Sequence, residues 1–126
     1  MTIAELEHIS LEKLTDAEIL FANNRWEGAH YLCGYSIEFK LKARICKTLN
    51  WSDYRTEKGY DNFRIHNLPI LLSLSGIENS IKAGYRPQWD TVSQWNPEMR
   101  YDVITIYTQA SATAIISDTK TLLTQL

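Results

Sequence analysis

Arg25 and His30, five positions apart, are residues whose types suit chemistry on a phosphodiester. A histidine can act as acid or base at a ribose hydroxyl and at the leaving oxygen, and an arginine can stabilise the negative charge of a phosphorane. On one straight helix, five positions separate two side chains by about 140°. We therefore predict a candidate catalytic pair, Arg25 and His30, whose convergence depends on the surrounding structure.

Basic side chains form a second candidate site. The chain carries a formal net charge of −2, yet residues 40–66 hold seven basic and three acidic residues. Only a local positive region of this kind could contact phosphates, although such runs are also typical of the solvated face of an amphipathic helix. Three of the basic residues, Lys40, Arg44 and Lys47, lie at i, i+4 and i+7 and would share one face of a helix, which we call the basic stripe. The predicted nucleic-acid-binding residues are Lys40, Arg44, Lys47, Arg64, His66 and Arg100.

Glu38 has two open interpretations. With Lys42 four positions later it forms an ordinary helical pair, worth a few tenths of a kcal/mol if both side chains are exposed. If Glu38 instead faces inward, its carboxylate needs a buried donor, and His66 or Arg100 could supply one.

Metal and cofactor sites are not predicted. His8 and His66 lack neighbouring ligands at metal-site spacing, and the chain has no glycine-rich phosphate loop. Cys33 and Cys46, thirteen positions apart on one predicted helix, would be about 20 Å apart and could not pair within it. We expect buried free thiols, as in a reducing cytoplasm, and no segment is apolar enough to predict a membrane span.

These candidates depend on a long helix from Arg25 to Leu49. Its apolar residues recur at spacings of three and four in two adjacent rows, which predicts burial on two sides. Gly28 and Gly34 lie within that pattern, where each costs a helix about 1 kcal/mol relative to alanine. We expect another backbone to approach closely at these glycines, through close helix packing.

Shorter patterns predict the other elements. Thr15 to Glu18 reads as a capping box that either starts a helix or lies within one of roughly 10–24. Residues 50–63 are predicted to form a loop, and Asn67 is predicted to cap a helix that ends at Gly76. Residues 80–85 are predicted to be a connection, after which Pro87 starts a short helix. The last helix is predicted from Pro97 nearly to the end, with a core face that includes Tyr101, Ile104, Tyr107, Ala110, Ala114 and Leu122.

No segment shows sustained period-two alternation, so strands are not expected. The 126 residues are predicted to form a single all-α domain, over residues 1–126. Helices joined by short connections predict an antiparallel up-and-down bundle of four main helices plus a short extra helix.

Three segments together resemble the HEPN family of helical domains. The first is RWEGAHYLCGYSIE, residues 25–38, continuing to Leu41-Lys42-Ala43; the second is His66-Asn67-Leu68 with Leu71-Leu72; the third is WNPEMRY, residues 95–101. They occur in the family's order and span most of the chain. The resemblance implies the same four-helix bundle, a homodimer, and roles in prokaryotic toxin–antitoxin, defence or RNA-processing systems.

The resemblance also implies three alternative functions. The first is a module that binds RNA, a nucleotide or a partner protein such as a cognate antitoxin or nucleotidyltransferase. The second is a metal-independent ribonuclease that uses the Arg and His motif, represented here by Arg25 and His30, and the third is a protein-interaction bundle without nucleic-acid contact. In ribonuclease members the motif usually lies on a later helix, where this chain has Arg100-Tyr101 and no histidine after it.

Overall fold

The computed structural model describes residues 1–101 and 106–126, without the side chains of Arg100 and Tyr101. The described chain is helical and contains no strand, in agreement with the predicted all-α class. Short 3-10 helices occur at Asp61–Phe63 and Pro97–Tyr101. The α-helices are α1 (Ile3–Ala22), α2 (Trp26–Leu49), α3 (Leu68–Leu74), α4 (Glu78–Gly84), α5 (Arg86–Ser93) and α6 (Gln109–Leu123).

The first helix begins earlier than predicted. Thr2 Oγ1 accepts a hydrogen bond from the Glu5 amide at 3.2 Å, and Glu5 Oε2 accepts one from the Thr2 amide at 2.8 Å. This capping box satisfies two of the donors that a helix start leaves unpaired. The similar pattern from Thr15 to Glu18 therefore lies inside α1 and does not start a helix.

The long helix α2 confirms the central prediction from the sequence. It begins after Arg25, which is its N-cap, and ends at Asn50, which adopts a left-handed φ of 56°. Helix α1 packs along one side of α2, where Ser10 and Ser36 each donate a hydroxyl proton to the other's main-chain oxygen at 2.7 Å. Helices α3 and α6 pack on other sides of α2, so the two predicted buried rows both have partners.

Side chains, and not a neighbouring backbone, occupy the space beside the two glycines of α2. A Cβ at Gly28 would lie 2.8 Å from Leu20 Cδ1, and one at Gly34 would clash severely with the indole ring of Trp95. The indole Nε1 donates to the Tyr31 main-chain oxygen at 3.1 Å, which fixes the ring against the helix. The predicted close approach at these two glycines is confirmed, but the approaching atoms belong to side chains and not, as predicted, to another backbone.

The second half of the chain departs most from the sequence-based prediction. Residues 80–85 were expected to be a connection, but most of them belong to α4. Asn67 caps α3 as predicted, with Oδ1 accepting from the Ile70 amide at 3.0 Å, and Gly76 follows this helix with a φ of +82°. A glycine adopts that conformation without steric cost.

The predicted single C-terminal helix is wrong, because Pro97–Tyr101 is a 3-10 helix and α6 begins separately. Thr108 and Ser111 form the capping box that starts α6. The new start changes the buried face, so Ala110 and Ala114 are exposed while Ala112, Ile115, Ile116, Thr119 and Leu122 are buried. Ile104 lies outside the described residues.

Both cysteines are free and buried, as predicted. Burial raises the pKa of the Cys33 thiol to about 12 and also raises that of Cys46. Neither thiol is ionised near neutral pH, which fits a packing role. None of the helices in the described ranges is long and apolar enough to cross a membrane.

Candidate functional site

Arg25 and His30 lie beside different cavities. Arg25 is exposed at the start of α2 and lines a cavity of about 330 Å³ together with Leu20 and Trp26. His30 is partly buried and lines a second cavity, of about 310 Å³, near α5 and α6. The residues that line the two cavities do not overlap, so one copy of the chain does not bring the two side chains into one site.

His30 is held by the start of α6. Its Nε2 lies 2.9 Å from Ser111 Oγ, and its ring centroid lies 4.8 Å from that of Tyr107. Desolvation by burial lowers the pKa of His30 below its ordinary value of 6.5. The imidazole is therefore neutral at physiological pH and acts there as a hydrogen-bonding ring, without charge.

This lowered pKa predicts acid-sensitive stability. Unfolding restores the ordinary pKa of 6.5, so below that pH the unfolded state binds more protons than the folded one. The stabilisation that depends on neutral His30 is thus complete above pH 6.5 and is lost as the pH falls towards the lower, folded pKa. Urea unfolding at pH 7.5 and 5.5 should show a smaller loss of stability for His30→Gln than for the unsubstituted chain.

The control for that experiment is His8→Gln, because His8 is an exposed histidine of α1 beside Glu12. We expect His8→Gln to lose as much stability on acidification as the unsubstituted chain. An equal loss in the His30 and His8 variants would contradict a special contribution of His30.

The basic stripe of α2 is engaged within the molecule. Glu7 Oε1 on α1 lies 2.6 Å from Lys47 Nζ and 3.3 Å from Lys40 Nζ, and Arg44 Nε donates to the Leu126 main-chain oxygen at 2.9 Å. The hydrogen bond from Lys47 is the main cause that lowers the pKa of Glu7. The Glu7 carboxylate thus offsets part of the positive charge of the basic stripe. These contacts join α1 to α2, whether or not the basic stripe also contacts phosphate.

The other predicted binding residues lie near the loop before α3. Arg64 is exposed, and its Nη2 donates to the Thr56 main-chain oxygen at 2.8 Å. His66 is exposed and lies directly before the cap of α3. The side chain of Arg100 lies outside the described residues.

Glu38 faces inward and binds two donors. Its side chain is 2 % exposed, with Oε1 at 2.8 Å from His66 Nδ1 and Oε2 at 3.0 Å from Lys42 Nζ. Because a carboxylate only accepts hydrogen bonds, His66 Nδ1 is the donor in this pair. His66 or Arg100 was predicted as the donor to an inward-facing Glu38, and His66 is a donor in the structure. Lys42 is the other donor that the structure places on this carboxylate.

Aromatic rings surround these donors. Lys42 Nζ lies 5.3 Å from the centroid of the Tyr54 ring, and the Tyr54 hydroxyl donates to the Phe63 main-chain oxygen at 2.6 Å. Burial raises the pKa of Tyr54, so the hydroxyl keeps its proton. The Tyr35 ring stands edge-on to His66 and Trp95, at centroid distances of 6.3 and 4.9 Å. Lys42 and His66 are therefore held in place by both charge and packing.

The Glu38 pair fixes the direction of the His66 ring. Since Nδ1 is bound to the buried carboxylate, Nε2 is the nitrogen left to face away from it, and no hydrogen bond to Nε2 occurs within residues 1–101 and 106–126. His66 also lines a cavity of about 290 Å³ with Asn67, Trp95 and Asn96. We call this the His66 cavity and the one beside His30 the His30 cavity.

Gln94, Trp95 and Asn96 line both the His66 cavity and the His30 cavity. The sequence pointed to His30, His66 and Trp95 separately, but it did not indicate that one turn after α5 joins them. It also missed Ser111 and Gln94. No spacing rule could have found them, because they meet His30 and His66 only through the packing of α5 and α6 on α2.

The described part of the chain contains no group of three or more His, Cys, Asp or Glu side chains that could hold a metal ion. Comparisons with protein-family models, with curated proteins and with solved structures gave no match to this chain. The two adjoining cavities and the side chains around them form the candidate functional site.

Proposed function

We propose that this chain is a HEPN-like helical module, an antiparallel up-and-down bundle of four main helices plus a short extra helix, that binds RNA without cleaving it. The RNA contacts the surface around His66, the exposed side chain whose ring is paired with the buried carboxylate of Glu38. The resemblance in residues 25–38, 66–72 and 95–101 supports the family and, with it, a cytoplasmic homodimer working beside an antitoxin or nucleotidyltransferase partner.

The observation that carries the proposal is the orientation of His66. Its Nδ1 is fixed by a carboxylate that is itself 2 % exposed, while 57 % of the His66 side chain remains exposed. A ring held in this way loses little freedom on binding, and its Nε2 can donate to a phosphate oxygen when the ring is protonated. Lys42 places an ammonium group on the other oxygen of Glu38.

The distribution of charge favours the surface around His66, and not the basic stripe of α2, as the place where RNA binds. Lys40 and Lys47 share Glu7, so a phosphate must compete with an existing carboxylate there. Arg64 and His66 lie close together in the chain, and among the described side chains the acid paired with His66 is the buried Glu38. A polyanion at His66 therefore displaces no exposed carboxylate.

RNA binding at low salt tests the proposal. Binding of a fluorescent single-stranded RNA, followed by anisotropy in EDTA, should weaken about 10-fold in His66→Ala, as expected for one charge-assisted hydrogen bond. The matched control is His8→Ala, because His8 is also exposed and lies beside an acid, with Nε2 3.2 Å from Glu12 Oε1. The control should bind as tightly as the unsubstituted chain.

Two other results would replace this proposal by its alternatives. If the RNA is degraded in EDTA and His30→Ala stops the degradation, the chain is a metal-independent ribonuclease in which Arg25 and His30 meet across two copies. If the RNA is neither bound nor cleaved, and replacing Lys40, Arg44 and Lys47 changes nothing, the chain is a protein-interaction bundle.

A further inference from the structure

The His30 cavity differs in chemistry from the face that surrounds His66. Its volume is about 310 Å³, and the side chains that matter for binding are His30, Thr91, Gln94, Asn96 and Tyr107. No formally charged side chain lines it within the described residues, and His30 is neutral because burial lowers its pKa. Among the described residues, a charged ligand would leave water here without gaining an opposite charge, which is strongly unfavourable.

An uncharged planar ring with polar edges suits these walls. The His30 and Tyr107 rings, tilted by 54°, form an aromatic side to the cavity. Asn96 Oδ1 already accepts from the Glu98 amide at 2.8 Å, which leaves its NH₂ group to donate, while Gln94 offers both a donor and an acceptor. A purely aliphatic ligand would bury these amides unpaired, whereas a heteroaromatic ring can pair with them.

The size and position of the His30 cavity restrict the kinds of ligand that it can hold. Its volume lies at the lower end of the range for small-molecule sites, which corresponds to one ring system and not to an extended ligand. The His66 cavity, where we place phosphate, adjoins it through Gln94, Trp95 and Asn96. One nucleotide unit would therefore meet a neutral aromatic wall at one end and the exposed imidazole of His66 at the other.

We propose that the His30 cavity holds one nucleobase, whose phosphate lies at the His66 cavity. This inference rests on the proposed function and deepens it: RNA would be bound with one base inserted between α5 and α6, beside α2. His30 is then a binding residue for the base, held by Ser111, and not an acid or base in catalysis.

Histidine NMR can separate the two ends of the ligand, because the chain has three histidines and one of them, His8, lies on the outer face of α1. Adenosine, which has a base and no phosphate, should shift the imidazole signals of His30. Ribose 5-phosphate, which has no base, should shift those of His66. Adenosine 5′-monophosphate should shift both, and His8 should remain unchanged throughout.

A cavity-filling variant provides the second measurement. Thr91 is exposed at the rim of the His30 cavity, and its hydroxyl donates to the Pro87 main-chain oxygen one turn earlier. Thr91→Phe should raise the dissociation constant for adenosine at least 10-fold and leave that for ribose 5-phosphate within 2-fold. Thr113→Phe is the matched control, since Thr113 is equally exposed, bonds the Gln109 main-chain oxygen and lines a different cavity.

The outcomes distinguish this inference from the function on which it rests. If RNA binds and depends on His66, but adenosine fails to shift His30 or Thr91→Phe has no effect, the base site is wrong and the proposed function stands. If Thr91→Phe loses the folded circular dichroism spectrum, Gln94→Ala takes its place with the same expected loss of adenosine affinity. If neither RNA nor any of the three probes binds, both proposals are wrong.

Discussion

Glu38→Ala should lower the free energy of unfolding by about 3–5 kcal/mol, the range for removing one partner of a buried ion pair. The Lys42 side chain is only 13 % exposed, so the substitution leaves its ammonium group in a poorly solvated place with the Tyr54 ring as its remaining neighbour. The loss of the buried side chain adds a cavity. Urea unfolding at pH 7 measures the change.

The control for this prediction removes both charges. Replacing Glu38 and Lys42 together by methionine fills the same space without an unpaired charge, and such exchanges are often neutral or stabilising. We expect the double variant to be at least 2 kcal/mol more stable than Glu38→Ala, in line with that contrast. Equal stability of the two variants would contradict this prediction, because the double variant has neither the unpaired ammonium group nor the vacated space.

Gly34→Ala should cost about 3 kcal/mol or more, at or above the upper end of the range for an overpacked core. The added methyl group would occupy the position of the Trp95 indole ring. That ring cannot move without breaking its hydrogen bond to the Tyr31 main-chain oxygen and its edge contact with Tyr35. Thermal unfolding should therefore begin well below that of the unsubstituted chain.

Gly84→Ala is the matched control, because a methyl group at Gly84 meets nothing within 4 Å and this residue ends α4 with no positive φ. It should raise stability by about 0.5–1 kcal/mol, since alanine loses less freedom on folding than glycine. A similar loss of stability in both variants would mean that contact with Trp95 does not govern the effect at Gly34, because alanine has a higher helix propensity than glycine.

The long helix α2 was predictable because its signal is local and repeated. Two apolar rows over 24 residues give many independent indications of period 3.6, and no single residue decides the result. The break before α6 gave no such signal. Pro97 is a good helix start and no proline or glycine follows it, yet the chain begins α6 only at Thr108, where Thr108 and Ser111 cap it.

The candidate site was predictable only in its parts. An inward-facing Glu38 carboxylate needs a hydrogen-bond donor, and only a few side chains of the chain are suitable donors. One of these was His66, which binds Glu38 in the structure. The pairing of Glu7 with Lys40 and Lys47 had no comparable signal, because it spans more than thirty positions and depends on the rotation of α1 about its axis. Contacts of that kind follow from packing, which a pattern in one segment does not specify.

The reciprocal hydrogen bonds between Ser10 and Ser36 have a consequence for the order of folding. They lie in the interface between α1 and α2, two helices joined by only three residues, so this large interface forms at low contact order. Helix α6 docks on the same pair of helices but begins sixty positions after α2 ends, so it carries the higher loop-closure cost. We expect the α1–α2 hairpin to collapse first, and the cavity beside His30 to be completed last.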